Sequence, residues 1–166
     1  MDFELKRLPA ADLEHAKKRA EHYRLLNEPR AAESICLDIL EVTPENESVI
    51  VMLLLARTDQ FTRGVGASVE DARELLGKLS DEYERAYYAG VICERWGKAR
   101  LTRNHPGAGR YVYDWLRDAM EHYERARQLR PEASDPVLRW NSCVRLIRRH
   151  PHVEQATEDG FTPLLE

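Results

Sequence analysis

The sequence predicts an all-α fold, and three observations carry that expectation. Apolar residues recur at spacings of three and four from end to end, which is the period of a helix face. Alternation of apolar and polar residues between turn signals, the mark of a strand, is sustained nowhere. Prolines and small polar capping residues interrupt the helical pattern at intervals of one helix length.

The first helix is expected at about 10–26, with Leu13, Ala16, Ala20 and Tyr23 on one face. The second, at about 29–42, carries Ala32, Ile35, Cys36 and Ile39, and Asn27, Glu28 and Pro29 make the turn between the two. Proline lacks an amide that would be unbonded in a first helical turn anyway, so Pro29 opens the second helix and Pro44 marks the break after it. Asn46 caps a third helix at about 47–59, whose Ile50, Val51, Leu53, Leu54 and Leu55 are apolar on more than one face and place it centrally.

FTRGVGAS is a loop, after which Ser68 and Asp71 have the spacing of a capping box. Val69, Ala72, Leu75, Leu76 and Leu79 supply the buried stripe of the fourth helix. Ser80 or Asp81 caps the fifth, which brings Ala86, Ala89, Gly90, Cys93 and Trp96 near one face and runs to about Arg103, where Asn104, His105, Pro106 and Gly107 end it. Val112, Leu116, Ala119, Tyr123 and Ala126 trace a long sixth helix. The seventh starts at Asp135-Pro136, a capping carboxylate followed by proline, and continues through Val137, Trp140, Val144 and Ile147 with no visible partner. Residues 151–166 read as a tail on a domain of residues 1–150, with Phe161, Leu164 and Leu165 able to dock on the body.

A chain of 166 residues suits one domain with a substantial core. Charged residues make up 33% and the formal net charge is -4, which argues against a general nucleic-acid or membrane-surface binder and makes any basic site local. Cys36, Cys93 and Cys143 lie far apart in apolar segments, without the close pair of a zinc or redox motif, and read as small reduced core residues. The first residues hold no stretch of signal-peptide type, and the longest apolar run, VIVMLLLA, is too short to cross a bilayer. A reducing cytoplasm is the expected compartment.

Paired short helices, small residues at expected crossings and a proline after the second helix prompt a search for a repeat. Ala16, Ala20, Tyr23, Ala32, Cys36, Ile39 and Pro44 follow one pattern. Ala86, Ala89, Gly90 and Cys93, then Ala119, Tyr123, Ala126 and Pro131, follow it again. In these residues the chain resembles tetratricopeptide-repeat proteins over about 12–147, while the middle pair, Ile50 to Leu79, lacks the closing proline and has Leu54 where a small residue belongs. The resemblance implies a right-handed α-solenoid of about three antiparallel helix hairpins plus a C-terminal capping helix. Ala20 and Gly90 would let helices approach, Tyr23 and Tyr123 would fill gaps between hairpins, and Arg139, Arg145, Arg148 and Arg149 would point away from the seventh helix as a solubilising cap.

Proteins of this family use the concave face, lined by the first helix of each hairpin, to hold peptides or partner helices. The resemblance therefore implies a non-catalytic protein-interaction module or adaptor. Its partner-binding residues would be Lys17, Glu21, Arg24, Tyr87, Val91, Glu94, Arg95 and Arg145, with Val51, Leu55 and Leu138 on the same face and Tyr87, Arg95 and Arg145 as first anchors. Ordinary ion pairs, Glu21 with Arg24 and Glu94 with Lys98, are the competing account of the charged members. The family's clamp for a C-terminal carboxylate is not matched, because Glu21 follows Lys17 and Glu84 and Tyr88 replace basic residues.

Two further readings stay open. GKARLTRNHPGAGR carries Lys98, Arg100, Arg103 and Arg110, with Arg95 just before it, and could meet an anion such as a nucleotide, a phosphopeptide or RNA, with amides around Gly107 and Gly109 at a helix start. A solvated helix end is the competing account there, and Tyr111, Tyr113 and Trp115 after it read more as packing than as a stacking platform for bases. The other is a homo-oligomeric unit joined through the tail. No catalytic, cofactor or metal set is expected: GVGAS lacks the ending of a phosphate loop, His150, His152 and Glu154 are irregularly spaced, and His15, His22 and His122 have no nucleophile beside them.

Overall fold

The computed structural model describes residues 3–63, 68–101 and 108–153, and these are all-α, without a strand. Seven helices follow in order: α1 (Leu13–Leu25), α2 (Pro29–Val42), α3 (Glu47–Thr58), α4 (Val69–Leu76), α5 (Glu82–Leu101), α6 (Ala108–Leu129) and α7 (Asp135–Arg149). Short 3-10 turns precede α1 at Ala10–Asp12 and follow α3 at Phe61–Arg63.

Local chemistry accounts for most of the boundaries. Asn27 ends the α1 segment in the left-handed conformation, φ 60°, which an Asn tolerates, and the Glu28 amide reaches back to the Tyr23 carbonyl at 2.8 Å. Pro29 opens α2 as expected. Asn46 accepts from the Val49 amide and caps α3, and Ser68 and Asp71 exchange both bonds of a capping box at the start of α4. Asp81 accepts from the Tyr83 amide at 2.8 Å and caps α5. The start of α7 differs from the expectation: Ser134 is the N-cap, Asp135 the first helical residue and Pro136 the second, and the Ser134 side chain makes no capping bond. A carboxylate inside the first turn still opposes the helix dipole, and proline is tolerated there.

Each helix packs on the next one in sequence, and alternate helices touch as well, α1 with α3 and α3 with α5. The arrangement is compatible with a helical repeat. One core group gathers Ala20, Cys36, Ile39, Ile50, Leu53, Leu54, Ala72 and Leu75 from α1 to α4, joined by Ile92 of α5. The other gathers Val91, Cys93, Val112, Leu116, Ala119, Tyr123 and Cys143 from α5 to α7. Since Ile92 serves the first group and its neighbours Val91 and Cys93 the second, α5 is buried on several sides and is as central as α3.

Two glycines make that position possible. A Cβ on Gly90 would lie 2.5 Å from Cε1 of Tyr123, and one on Gly97 would lie 3.2 Å from Cβ of Trp115. Gly90 thus admits a ring from the adjoining helix α6, within a neighbouring pair rather than between successive pairs. The seventh helix does have a partner: it packs on α6, burying Pro136 and Cys143. Beyond it, Val153 is buried in the second core group, and Gly109 lies against the His152 carbonyl with no room for a side chain. Phe161, Leu164, Leu165 and the middle of the basic loop, Arg103 included, lie outside the described residues. Among the described residues no helix is long and apolar enough to cross a membrane.

Because the Tyr123 ring is itself buried, it cannot yield to a new methyl group. Gly90→Ala is expected to lower stability by about 1–3 kcal/mol despite alanine's better helix propensity, measured as a lower denaturant midpoint with unchanged m-value.

Candidate functional site

Three carboxylates each bind side chains from beyond their own element. Asp59, just past the end of α3, accepts from Arg24 of α1 at 2.9 Å and from Arg95 of α5 at 2.5 Å. The same Arg95 guanidinium donates to the Thr58 hydroxyl at 2.7 Å and to the Leu55 carbonyl at 3.2 Å, so it also closes the C-terminal turn of α3. Glu33 of α2 accepts from Arg57 at 3.0 Å and from Gln60 at 2.7 Å, and Arg57 continues to the Asp71 carbonyl of α4 at 3.0 Å.

The third carboxylate, Glu94 of α5, is 0% exposed. It accepts from the Tyr123 hydroxyl of α6 at 2.5 Å, pairs with Lys98 one turn on, and faces Arg139 of α7 at 3.5 Å. Burial raises the Tyr123 hydroxyl pKa, and the neighbouring Glu94 charge raises it further, so Tyr123 stays the donor of this bond. Burial works against the Arg139 charge, but its bond with Tyr87 and the charge of Glu94 outweigh that and raise its pKa overall. Among the described residues no buried side-chain donor or acceptor lacks a partner.

The structure places the expected partner-binding residues in three different situations. Arg24 and Arg95 share Asp59, so Arg24 pairs there rather than along its own helix with Glu21. Glu94 and Val91, expected on a binding face, are buried inside the α5–α6–α7 packing, because α5 turns more of its circumference inward than its charge suggested. Tyr87 is half-buried, its ring 5.9 Å from that of Tyr123 and its hydroxyl bonded to Arg139. Lys17 is half-buried, and Glu21 and Arg145 are exposed. Arg139, expected to point away, turns inward to Glu94, whereas Arg145, Arg148 and Arg149 are exposed as expected.

The described part of the basic stretch is also engaged. Lys98 is on Glu94, and the Arg100 guanidinium lies 4.1 Å from the centre of the Trp96 ring. Trp96 donates to the Tyr111 hydroxyl at 3.2 Å and packs edge-on against Trp115 and Phe61. Arg110 is exposed at the start of α6. His150 and His152 stack ring on ring beyond α7, and among the described residues no group of three or more His, Cys, Asp or Glu could hold a metal ion.

No family model matches the chain, and no curated protein is similar to it. Its chemistry therefore rests on its own residues. Burial pushes the thiols of Cys36 and Cys143 up to about 12 and raises that of Cys93, so all three are protonated packing groups at neutral pH.

The sequence reading missed Asp59 and Glu33 as centres, since their partners come from other helices and no local spacing announces them. Glu94 did leave a signal. Gly90, Glu94 and Gly97 are i, i+4 and i+7, one stripe of a helix, and a face kept clear by two glycines is one pressed against a neighbour.

Tyr123→Phe removes the only neutral donor to Glu94 among its bonds and is expected to cost about 1.5–3 kcal/mol, read from denaturant unfolding. In the fold Cys36 and Cys143 keep their protons to about pH 12, whereas an unfolded thiol loses its proton near 9.0. Their contribution to stability is thus complete below that lower value and is lost as pH rises through the interval. Alkylation at pH 8 should leave all three cysteines unmodified in the native chain and label all three in denaturant, by mass spectrometry.

Proposed function

We propose that the chain is a non-catalytic tetratricopeptide-like module of about three hairpins and a capping helix, wound as a right-handed solenoid, that works as a cytoplasmic adaptor. It holds a peptide or a partner helix against the face formed by α1, α3, α5 and α7. The observation that carries this reading is the set of partly exposed apolar side chains on α3, α5 and α7. Val51 and Leu55 of α3 and Tyr87 and Tyr88 of α5 pack on the core with one side, and Leu138 of α7 is 61% exposed. Leu55 and Tyr88 each pack against both core groups, which links the α3 and α5 parts of the row.

Arg24 and Arg95 border the row and are already oriented by Asp59, so they lose less freedom on meeting a carbonyl or carboxylate of a partner than free arginines would. Aromatic and arginine side chains of this kind are the usual anchors of an interface. Lys98 and Arg100 are likewise engaged, with Glu94 and Trp96, so that of the described arginines and lysines at 98–110 Arg110 alone is exposed for an anion.

The test is affinity capture from native lysate, followed by titration of the captured protein against purified variants. Tyr87 and Arg95 hold other parts of the fold together, so Leu138→Ser with Arg145→Ala is the informative pair. Their combination is expected to weaken binding at least tenfold, about 1.4 kcal/mol, at both low and high salt with unchanged unfolding. An unchanged affinity would remove the groove; retention of nucleic acid or a phosphorylated species only at low salt would put the site in the basic stretch.

A further inference from the structure

Ahead of α1 the chain forms an arm, residues 3–9, that belongs to no helix. Leu8 packs against the first core group, and Pro9 is extended, φ -63° and ψ 138°, where the chain enters the turn at Ala10–Asp12. Leu5 and Phe3 stand out from the body, 95% and 88% exposed, the two most exposed large apolar residues among those described. Among the described residues no main-chain hydrogen bond involves residues 3–8, so the arm carries a run of open amides and carbonyls like an edge strand. Between the arm and α2 is a groove of about 520 Å³, lined by residues 5–8 on one side and by Leu37, Asp38 and Glu41 on the other. Leu37 is 47% exposed, and among the described residues Lys6, Arg7, Asp38 and Glu41 are held in no ion pair.

We propose that this groove takes the arm of a second copy of the chain, and gives its own arm in return, in a twofold dimer. The arm is one wall of the groove, so an arm that enters its neighbour's groove lies alongside the neighbour's arm, and one twofold axis makes both contacts at once. The order of residues in the arm suits such a pairing. Phe3-Glu4-Leu5-Lys6-Arg7, laid antiparallel to its copy with Leu5 on the axis, sets Glu4 of each arm across from Lys6 of the other and Phe3 across from Arg7. An ion pair and a cation beside a ring are thereby each made twice by symmetry. A strand in this position also pairs main-chain groups that the single chain leaves open.

Charge on the other wall points to the same occupant. The α2 wall is acidic, through Asp38 and Glu41, and the arm holds two bases, Lys6 and Arg7, against one acid, Glu4. An acidic strand would meet repulsion there. Phe3 of the entering arm passes between Leu8 and Leu37, the apolar part of the groove, and loses the exposure it has in the single chain. The interface consists of two arms and two grooves, which places it in the small, reversible class. Because α2 lies outside the set of helices proposed to hold a partner, the dimer would carry two such faces and gain from bivalent attachment.

The test is sedimentation equilibrium of the intact chain over about 1–100 μM, the range in which a weak dimer forms and dissociates. The mass is expected to rise from one chain to two and no further, because a twofold exchange is closed. Phe3→Ser removes the inserted ring, and Leu37→Glu spoils the apolar wall. Both positions are exposed, so each variant should keep its helical circular dichroism while its dimer dissociation constant rises at least tenfold. Mixed in equal amounts, the two variants should associate more tightly than either alone, since the ring of one meets the intact groove of the other. A chain that stays single throughout would overturn the proposal, as would a dimer indifferent to both substitutions or a mixture no tighter than its parts. Growth beyond two chains would overturn it in favour of end-to-end stacking of the helix row.

Discussion

Glu94 is the group around which the C-terminal half of the protein is organised. A carboxylate removed from water costs several kcal/mol unless its oxygens are fully satisfied, and here a hydroxyl, an ammonium and a guanidinium from three helices meet that requirement. The requirement also fixes position. Tyr123 reaches the carboxylate because its ring lies close against Gly90, and Arg139 reaches it only if α7 sits at one height against α5. Apolar burial at Pro136 and Cys143 holds α7 down, but it is non-directional, and the charge selects the register.

The same device recurs at the other end. Asp59 ties α1, α3 and α5 through Arg24 and Arg95, and Glu33 ties α2 to Arg57 of α3, which reaches on to the Asp71 backbone carbonyl of α4. Helices that touch only their neighbours would otherwise hinge about each connection. These centres brace alternate helices, and a braced row of helices is what a preformed binding face requires. Their cost is that several residues suited to recognition are already committed. The face proposed for a partner is narrower than the charge of α5 implies, with Leu138 and Arg145 of α7 as its exposed members.

Boundaries were legible in the sequence because they are decided locally. Pro29, Asn46 and the Ser68–Asp71 pair act within four residues of themselves, and α2 and α3 begin where those residues place them. The direction of charged side chains was not legible. Whether Glu94 faces water or the interior depends on a tyrosine 29 positions away and on the closeness that two glycines permit, and whether Arg24 pairs along its own helix or with Asp59 depends on where α3 ends. Helical spacing gives a face to each residue; it does not say which neighbour will cover that face. For the same reason α7, which looked partnerless in the chain, acquires α6 only once the long α5–α6 pair is in place.

The claim that Glu94 sets the placement of α7 is tested most directly by hydrogen exchange on the intact chain with and without Glu94→Gln. The substitution keeps the shape, removes the charge that holds Arg139 and Lys98, and turns one acceptor oxygen into an NH2 donor facing them. If the account is right, amides of α7 lose protection well before those of α1 to α4, because the first core group does not depend on the carboxylate. Uniform loss across all seven helices, or no loss in α7, would contradict it and leave apolar burial alone as the force that positions the last helix.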